Sequence, residues 1–278
     1  MRTLPAKLVV PLHRIENLAV FVVLLGIALI PTIEIAARRF FKTGIHGSTE
    51  YVQHLVVWLT FLGGMIASRD LKHLALTAGV ERISGALRKW IALTNAVVSV
   101  AVTACFAWFS LQFVQNGFDP SHRVGALPFT WVMAIVPLGF ALMAIRFALH
   151  APGGIGGKLI ALLAGSGATL LIALRGTALE GAPLLPVYGL LIVTGLLGAP
   201  LFVVLGGLAL LFLLHAGGMP AVLPNEAYTM LTGPTIPSLP LFTLAGFILS
   251  ESKAGQRLVA LFRSLLGWLP GRLAIMAT

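Results

Sequence analysis

Residues 18–37 read LAVFVVLLGIALIPTIEIAA, with Glu34 as the sole charge. A helix crossing the ~30 Å hydrocarbon core of a bilayer needs about 20 mostly apolar residues, so this run fits one crossing. Lys7 and Arg14 precede it, as basic residues precede the core of a secretory signal. The run is too long for a signal core, however, and Arg38-Arg39 is a poor cleavage context, so the helix reads as retained. The rest of the chain has the same character. Only 10% of its residues are charged, 58% are hydrophobic and the mean hydropathy is +0.97. Soluble domains carry about 25% charged and 45–50% apolar residues. A chain this poor in charge cannot coat a globule with solvated surface and has to be solvated by lipid.

Further spans follow outward from the first. Tyr51 to Ser68 is the second, with Ser48 as a candidate N-cap and Glu50 in the first turn, where the helix dipole favours a carboxylate. Between Arg69 and Lys89 apolar residues recur at helical intervals among basic ones, the pattern of a segment lying in the membrane interface. The third span follows Trp90, and the fourth runs from Phe129 to Leu149. A Gly-rich break, APGGIGG, leads to a short apolar helix over Leu159 to Leu174, and Val187 to Ala216 reads as one further span. Pro234, Pro237 and Pro240 interrupt the next apolar stretch, because proline removes a donor and clashes with the preceding turn. Its helix either starts near Pro240 or belongs to a broken, re-entrant element, the one such element the sequence offers. The chain stops at LAIMAT within an apolar run, which reads as truncation at the C-terminus. The expected fold is all-α and polytopic, with about six to eight transmembrane or re-entrant segments plus interfacial amphipathic helices.

The formal net charge is +10. Nucleic-acid binders cluster Lys and Arg on a soluble face. Here the basic residues sit in short patches between long uncharged runs, so no nucleic-acid partner is expected. With the N-terminus inside, the cytoplasmic segments of the first four spans hold Arg2, Lys7, Arg14, Arg69, Lys72, Arg82, Arg88, Lys89, Arg146 and Lys158, against Arg38, Arg39, Lys42 and Arg123 outside. That ten-to-four bias favours a cytoplasmic N-terminus. Beyond residue 217 the same counting is ambiguous for Lys253, Arg257, Arg263 and Arg272.

Polar residues inside the runs are few. Glu34 lies four residues before Arg38, the spacing of an interfacial i,i+4 pair. Glu50 is expected to pair with Arg39 across the outer ends of the first two spans. His46, Glu50 and His54 have a metal-like spacing, but Gly47 separates His46 from the helix, so no metal site is assigned. His73, beside Arg69 and Lys72, suits a polar cluster at the foot of the second span, and His215 an interfacial position. Cys105 lies in an apolar run as a small hydrophobe. No phosphate loop, serine-nucleophile elbow, zinc-protease or dinucleotide motif occurs in a supporting context, so neither an enzyme nor a cofactor is expected. Gly63-Gly64 and Gly206-Gly207 lie within spans, where small residues allow close helix packing.

Two stretches resemble the membrane subunits of tripartite ATP-independent periplasmic (TRAP) transporters. The first half, with ARRF closing the first span, STEYVQHLVVWLTFLGGMIASRDLKH, and LPFTWVMAIVPLGFALMAIR, is similar to the family's small subunit. The matching positions are Arg39, Glu50, Trp58, Arg69 and His73, then Leu127, Pro128, Trp131, Pro137, Leu138 and Gly139. From about residue 187, GLLGAPLFVVLGG and IPSLPLFTLAGFILSESKAGQRLVALFRSLLGWLPGRLAI resemble the opening of the large subunit. Pro240, Leu241, Phe242 and Gly246, with Arg257, Leu258 and Gly267, are the most specific match; Arg272 departs from the family's usual glycine. The resemblance implies residues 1–149 as a small-subunit-like domain, 150–186 as a linker with its own helix, and 187–278 as the start of a transport domain. It further implies sodium-coupled transport of organic acids in a bacterial inner membrane, fed by a periplasmic solute-binding protein, with sodium and substrate ligands beyond Thr278. A non-transporting structural scaffold is the alternative reading, and a membrane-embedded enzyme a third.

Overall fold

The computed structural model of the protein describes residues 6–70, 73, 75, 84–119, 121, 123–175 and 180–265. Most of the 71–83 interfacial segment falls outside that set, as do Gly267, Arg272 and the LAIMAT end. The described residues form α1 (Ala6–Phe41), α2 (Ser48–Asp70), α3 (Gly85–Asn116), a short antiparallel pair β1 (Arg123–Val124) and β2 (Leu127–Pro128), α4 (Phe129–Met133), α5 (Ile135–Leu149), α6 (Gly154–Arg175), α7 (Leu185–Leu196), α8 (Leu201–His215), α9 (Val222–Leu231), α10 (Ser238–Glu251) and α11 (Ala254–Leu265). The protein is an all-α polytopic membrane protein. Among the described residues, five stretches are long and apolar enough to cross a membrane: His13–Phe41, Ser48–Asp70, Gly85–Asn116, Phe129–Leu149 and Gly154–Arg175. The fourth is broken at Ala134, where Pro137 has no amide hydrogen to donate to Met133 four residues back.

Contacts fix how the spans run. Glu16 meets Arg69, and Gly26 faces Leu55, so α1 and α2 are antiparallel. Trp58 bonds Val132, Phe61 faces Gly139 and Gly64 faces Met143, so α2 and α5 run in the same direction. The core lies among α2, α3 and the α4–α5 span, with Val57, Val100 and Met133 each 1% exposed.

Two readings of the second half need correction. The helix after the Gly-rich break is longer than Leu159 to Leu174. It is the 22-residue α6, packed along α3. Gly157, Ala161 and Gly165 recur every four residues on its buried face, and a Cβ at Gly165 would stand 2.5 Å from Val100 Cγ1. In lipid, where apolar area gives no drive for association, such small residues let backbones approach and dispersion act. Thr169 adds a hydrogen bond to Ala101 O at 3.2 Å, and Cys105 Sγ lies 3.6 Å from Thr169 Oγ1.

The second correction concerns Val187 to Ala216, which is a helical hairpin and not a single span. Gly198 takes φ +94°, which an L side chain rarely adopts, and Pro200 follows, so α7 ends and α8 restarts in the reverse direction. A Cβ on Gly195 would meet Val204 at 3.0 Å and one on Gly207 would meet Leu191 at 3.1 Å, the pairing of antiparallel arms. At 12 and 15 residues the arms measure roughly 18 and 22 Å, short of the ~30 Å core. The Gly181 amide donates to His215 O at 3.2 Å, which closes the foot of the hairpin. The chain therefore returns to the side it entered from. A broken element thus exists at 198–200 as well as at Pro234–Pro240. The latter resolves into α9, a break at 232–237, and α10 with Pro240 in its first turn, where amides lack helical partners anyway.

Candidate functional site at the seam of the two regions

The first cluster lies where α1, α2 and α5 meet. Among the described side chains of α1, Glu16, Val23, Ile27 and Glu34 are buried, and their spacing of seven, four and seven puts them on one helical stripe. Glu16 is 3% exposed. Its Oε1 accepts from Arg146 Nη2, and its Oε2 lies 3.1 Å from Arg69 Nη1. Arg146 also donates to Met65 O, and Arg69 reaches Asp70 Oδ1 at 2.8 Å and Asn17 Oδ1 at 3.2 Å. Two arginines and two carboxylates sum to zero charge, the condition under which buried charges persist. Arg146 is therefore not the loop charge that counting suggested. The composition of the run hides Glu16; its phase, in step with Glu34 on the apolar stripe, is the signal that could have found it.

His73 does not join this cluster. Its ring lies 5.5 Å from Phe147 and 5.0 Å from Phe202, so it touches α5 and the start of α8. Its Nε2 is buried without a hydrogen-bond partner, and burial pushes its pKa below the ordinary histidine value. Ala75 forms an isolated bridge with Pro200, and Asn95 Nδ2 donates to Leu197 O at 2.8 Å. The hairpin tip is thus clamped between the segment after α2 and the α3 helix.

The second cluster gathers at the opposite ends of the spans. His54 Nδ1 donates to Glu50 O at 2.8 Å, which leaves Nε2 to accept from the Tyr228 hydroxyl at 3.2 Å. Phe113, Phe118 and Phe129 surround Tyr228, with ring centroids 5.6 to 6.0 Å away. Trp58 Nε1 donates to Val132 O at 2.7 Å. Tyr51 OH accepts from the Ala126 amide at 2.8 Å, and Glu50 Oε2 from Gly125 at 3.2 Å.

The expected Arg39–Glu50 pair does not form. Arg39 is exposed, and Glu50 instead holds the β1–β2 turn. Glu34 takes the arginine one position earlier, with Arg38 Nε 2.5 Å from its Oε1, and also accepts from the Ile45 amide. Pro128 and Trp131 are exposed, Trp131 at 78%. Pro137 marks the α4–α5 break. Pro240, Phe242 and Gly246 lie on α10, none of whose residues is buried, and they join neither cluster. Among the described residues no group of three or more His, Cys, Asp or Glu is placed to hold a metal.

These geometries join helices rather than perform chemistry. Both clusters use α1–α5 as a fixed body, and the hairpin and α9 are fastened to it. Together with the five apolar spans, that is the packing of a multi-pass membrane protein. Residues 27–153 match the DctQ component of tripartite ATP-independent periplasmic transporters, and residues 188–278 match the DctM component. The chain belongs to the TRAP transporter permeases, with small- and large-subunit sequences fused in one polypeptide. It is 24% identical over 238 residues to the isethionate TRAP transporter permease protein DctMQ of Oleidesulfovibrio alaskensis, covering 81% of this chain and 36% of that one. It is 25% identical over 130 residues to the sialic acid TRAP transporter permease protein SiaT of Haemophilus influenzae, covering 46% of this chain and 20% of that one. A putative TRAP transporter small permease protein of Haemophilus influenzae is 25% identical over 91 residues, which cover 32% of this chain and 56% of the relative. The chain therefore spans about a third of the length of the fused isethionate permease. These relatives are transport proteins, not enzymes.

Proposed function

We propose that this chain is part of the permease of a sodium-coupled secondary transporter for organic acids, working with a periplasmic solute-binding protein in a bacterial inner membrane. The observation that carries the reading is that two components of one transporter class lie in one chain and share one packed seam, with Tyr228 on His54 and Pro200 on Ala75. Two relatives are named for isethionate and sialic acid, both organic acids. Transporters of this type build midplane sites from discontinuous helices, and the breaks at 198–200 and 232–237 belong to that class of element. Residues 1–149 serve as the small-subunit domain, 150–186 as the connection and 187–278 as the opening of the transport domain.

The N-terminus is cytoplasmic. Removing the neutralised Arg69 and Arg146 from the ten-to-four comparison leaves eight against four, the same sign. The hairpin also eases the ambiguity of the last third. It leaves the chain outside after His215, while α10, at 14 residues, is as short as the hairpin arms.

The test is uptake by the full-length permease in liposomes, with its binding protein and a panel that includes isethionate and sialic acid. Accumulation of an organic acid should require both the inward sodium gradient and the binding protein. Uptake that is indifferent to sodium would overturn the coupling, and uptake without the binding protein would overturn the partner.

A further inference from the structure

A half-enclosed cavity of about 220 Å³ lies at the seam, and none of the contacts described above occupies it. Phe61 of α2, Phe106 of α3, Phe140 of α5, Gly206 and Ala209 of α8 and Leu223 of α9 line it. Tyr228 is the one lining residue with a polar side-chain atom, and its hydroxyl is turned to His54. Phe61 lies two residues from the midpoint of the span Ser48–Asp70, which sets the cavity at the depth of the hydrocarbon core. The wall is shaped by close approach: a Cβ on Gly206 would stand 2.6 Å from Phe106.

Water does not suit such a space, since a buried water needs two to four polar partners. An engineered apolar cavity of about 150 Å³ in a soluble protein stays dry and takes up benzene. A void also forfeits the dispersion contacts of every atom that lines it. At this depth the abundant solute of matching chemistry is the acyl chain, and the cavity is only partly enclosed. We propose that the cavity binds an acyl chain of a membrane phospholipid, which fills the seam between the small-subunit region (α2, α3, α5) and the large-subunit region (α8, α9).

The experiment uses the full-length chain in bilayers containing phosphatidylethanolamine with a photoactivatable diazirine in one acyl chain. After exchange into excess unlabelled lipid, photolysis and peptide mapping should find adducts retained on Phe61, Phe140 or Leu223. Leu163, 66% exposed on the outer face of α6, reports ordinary lipid contact and should lose its label in the exchange. Ala209→Phe, which fills the cavity, should cut labelling of the lining several-fold and leave pre-exchange labelling of Leu163 unchanged. If that variant also disturbs Leu163, the smaller Ala227→Leu decides by the same comparison. Lining residues that exchange as fast as Leu163, or labelling that the filling variants do not change, would overturn the proposal.

Discussion

Glu16→Ala should be among the most damaging single substitutions in the first half of this protein. It removes the acceptor shared by Arg69 and Arg146, whose side chains are only 13% and 8% exposed. Arg69 keeps Asp70, but Arg146 keeps only the carbonyl of Met65. Leaving a buried charge without its partner costs roughly 3–5 kcal/mol, far more than the 0–1 kcal/mol of an exposed pair. At roughly 2–4 °C per kcal/mol for chains near this size, the melting temperature should fall on the order of 6–20 °C. Intrinsic-fluorescence melting of the detergent-solubilised chain measures this directly. The same argument makes a second demand. Glu16→Leu with Arg146→Met removes both charges and fills their space, and apolar replacements of buried pairs are often neutral or stabilising. The double variant should therefore melt well above Glu16→Ala. A loss of only a degree or two in Glu16→Ala, or losses from Glu16→Ala and Arg146→Ala that simply add, would show that the network is not the buried device described here.

Other perturbations separate the remaining features. Gly165→Val should push α6 off α3 and cost roughly 1–3 kcal/mol by overpacking, whereas Gly167→Ala, with open space at its Cβ, should leave thermal stability near wild type. Single cysteines at Ala182 and Met219 should react with an impermeant thiol reagent from the same face as one at Lys42; labelling of the two from opposite faces would replace the hairpin with a true span. Because burial lowers the pKa of His73, its contribution is complete above the unfolded value of about 6.5 and is lost as pH falls below it. Thermal stability should accordingly drop between pH 7.5 and 5.5, and His73→Phe should flatten that drop; an unchanged profile would place the titration elsewhere. A double-mutant cycle on Arg39 and Glu50 should return no coupling, while Glu50→Ala alone should cost under about 1 kcal/mol through its exposed bond to Gly125.

Much of this architecture was written locally. Runs such as 18–37 and Ile91–Phe118 are spans because lipid demands about 20 apolar residues in a row, and run length needs no tertiary knowledge. The family resemblance was legible for a similar reason: STEYVQHLVVWLTFLGG and PSLPLFTLAGF are contiguous, and contiguous strings survive in sequence. The Glu34–Arg38 pair was legible because its members share one helix at four-residue spacing.

What the sequence could not reveal were facts that depend on partners far along the chain. Glu16 precedes the first apolar run and gave no signal in it, and α2 and α5 bring Arg69 and Arg146 to it from 53 and 130 residues away. Arg39 and Arg38 are equivalent in a hydropathy profile, and only the helical phase of α1 decides which of them faces Glu34. Val187 to Ala216 has the length and apolarity of a span, yet Gly198 and Pro200 turn it back, and α3 supplies the wall that makes two short arms stable. Hydropathy records how long a segment stays apolar. Which face of it is buried, and against what, is set by long-range packing, and so the ion network, the hairpin and the cavity at the seam belong to the tertiary structure alone.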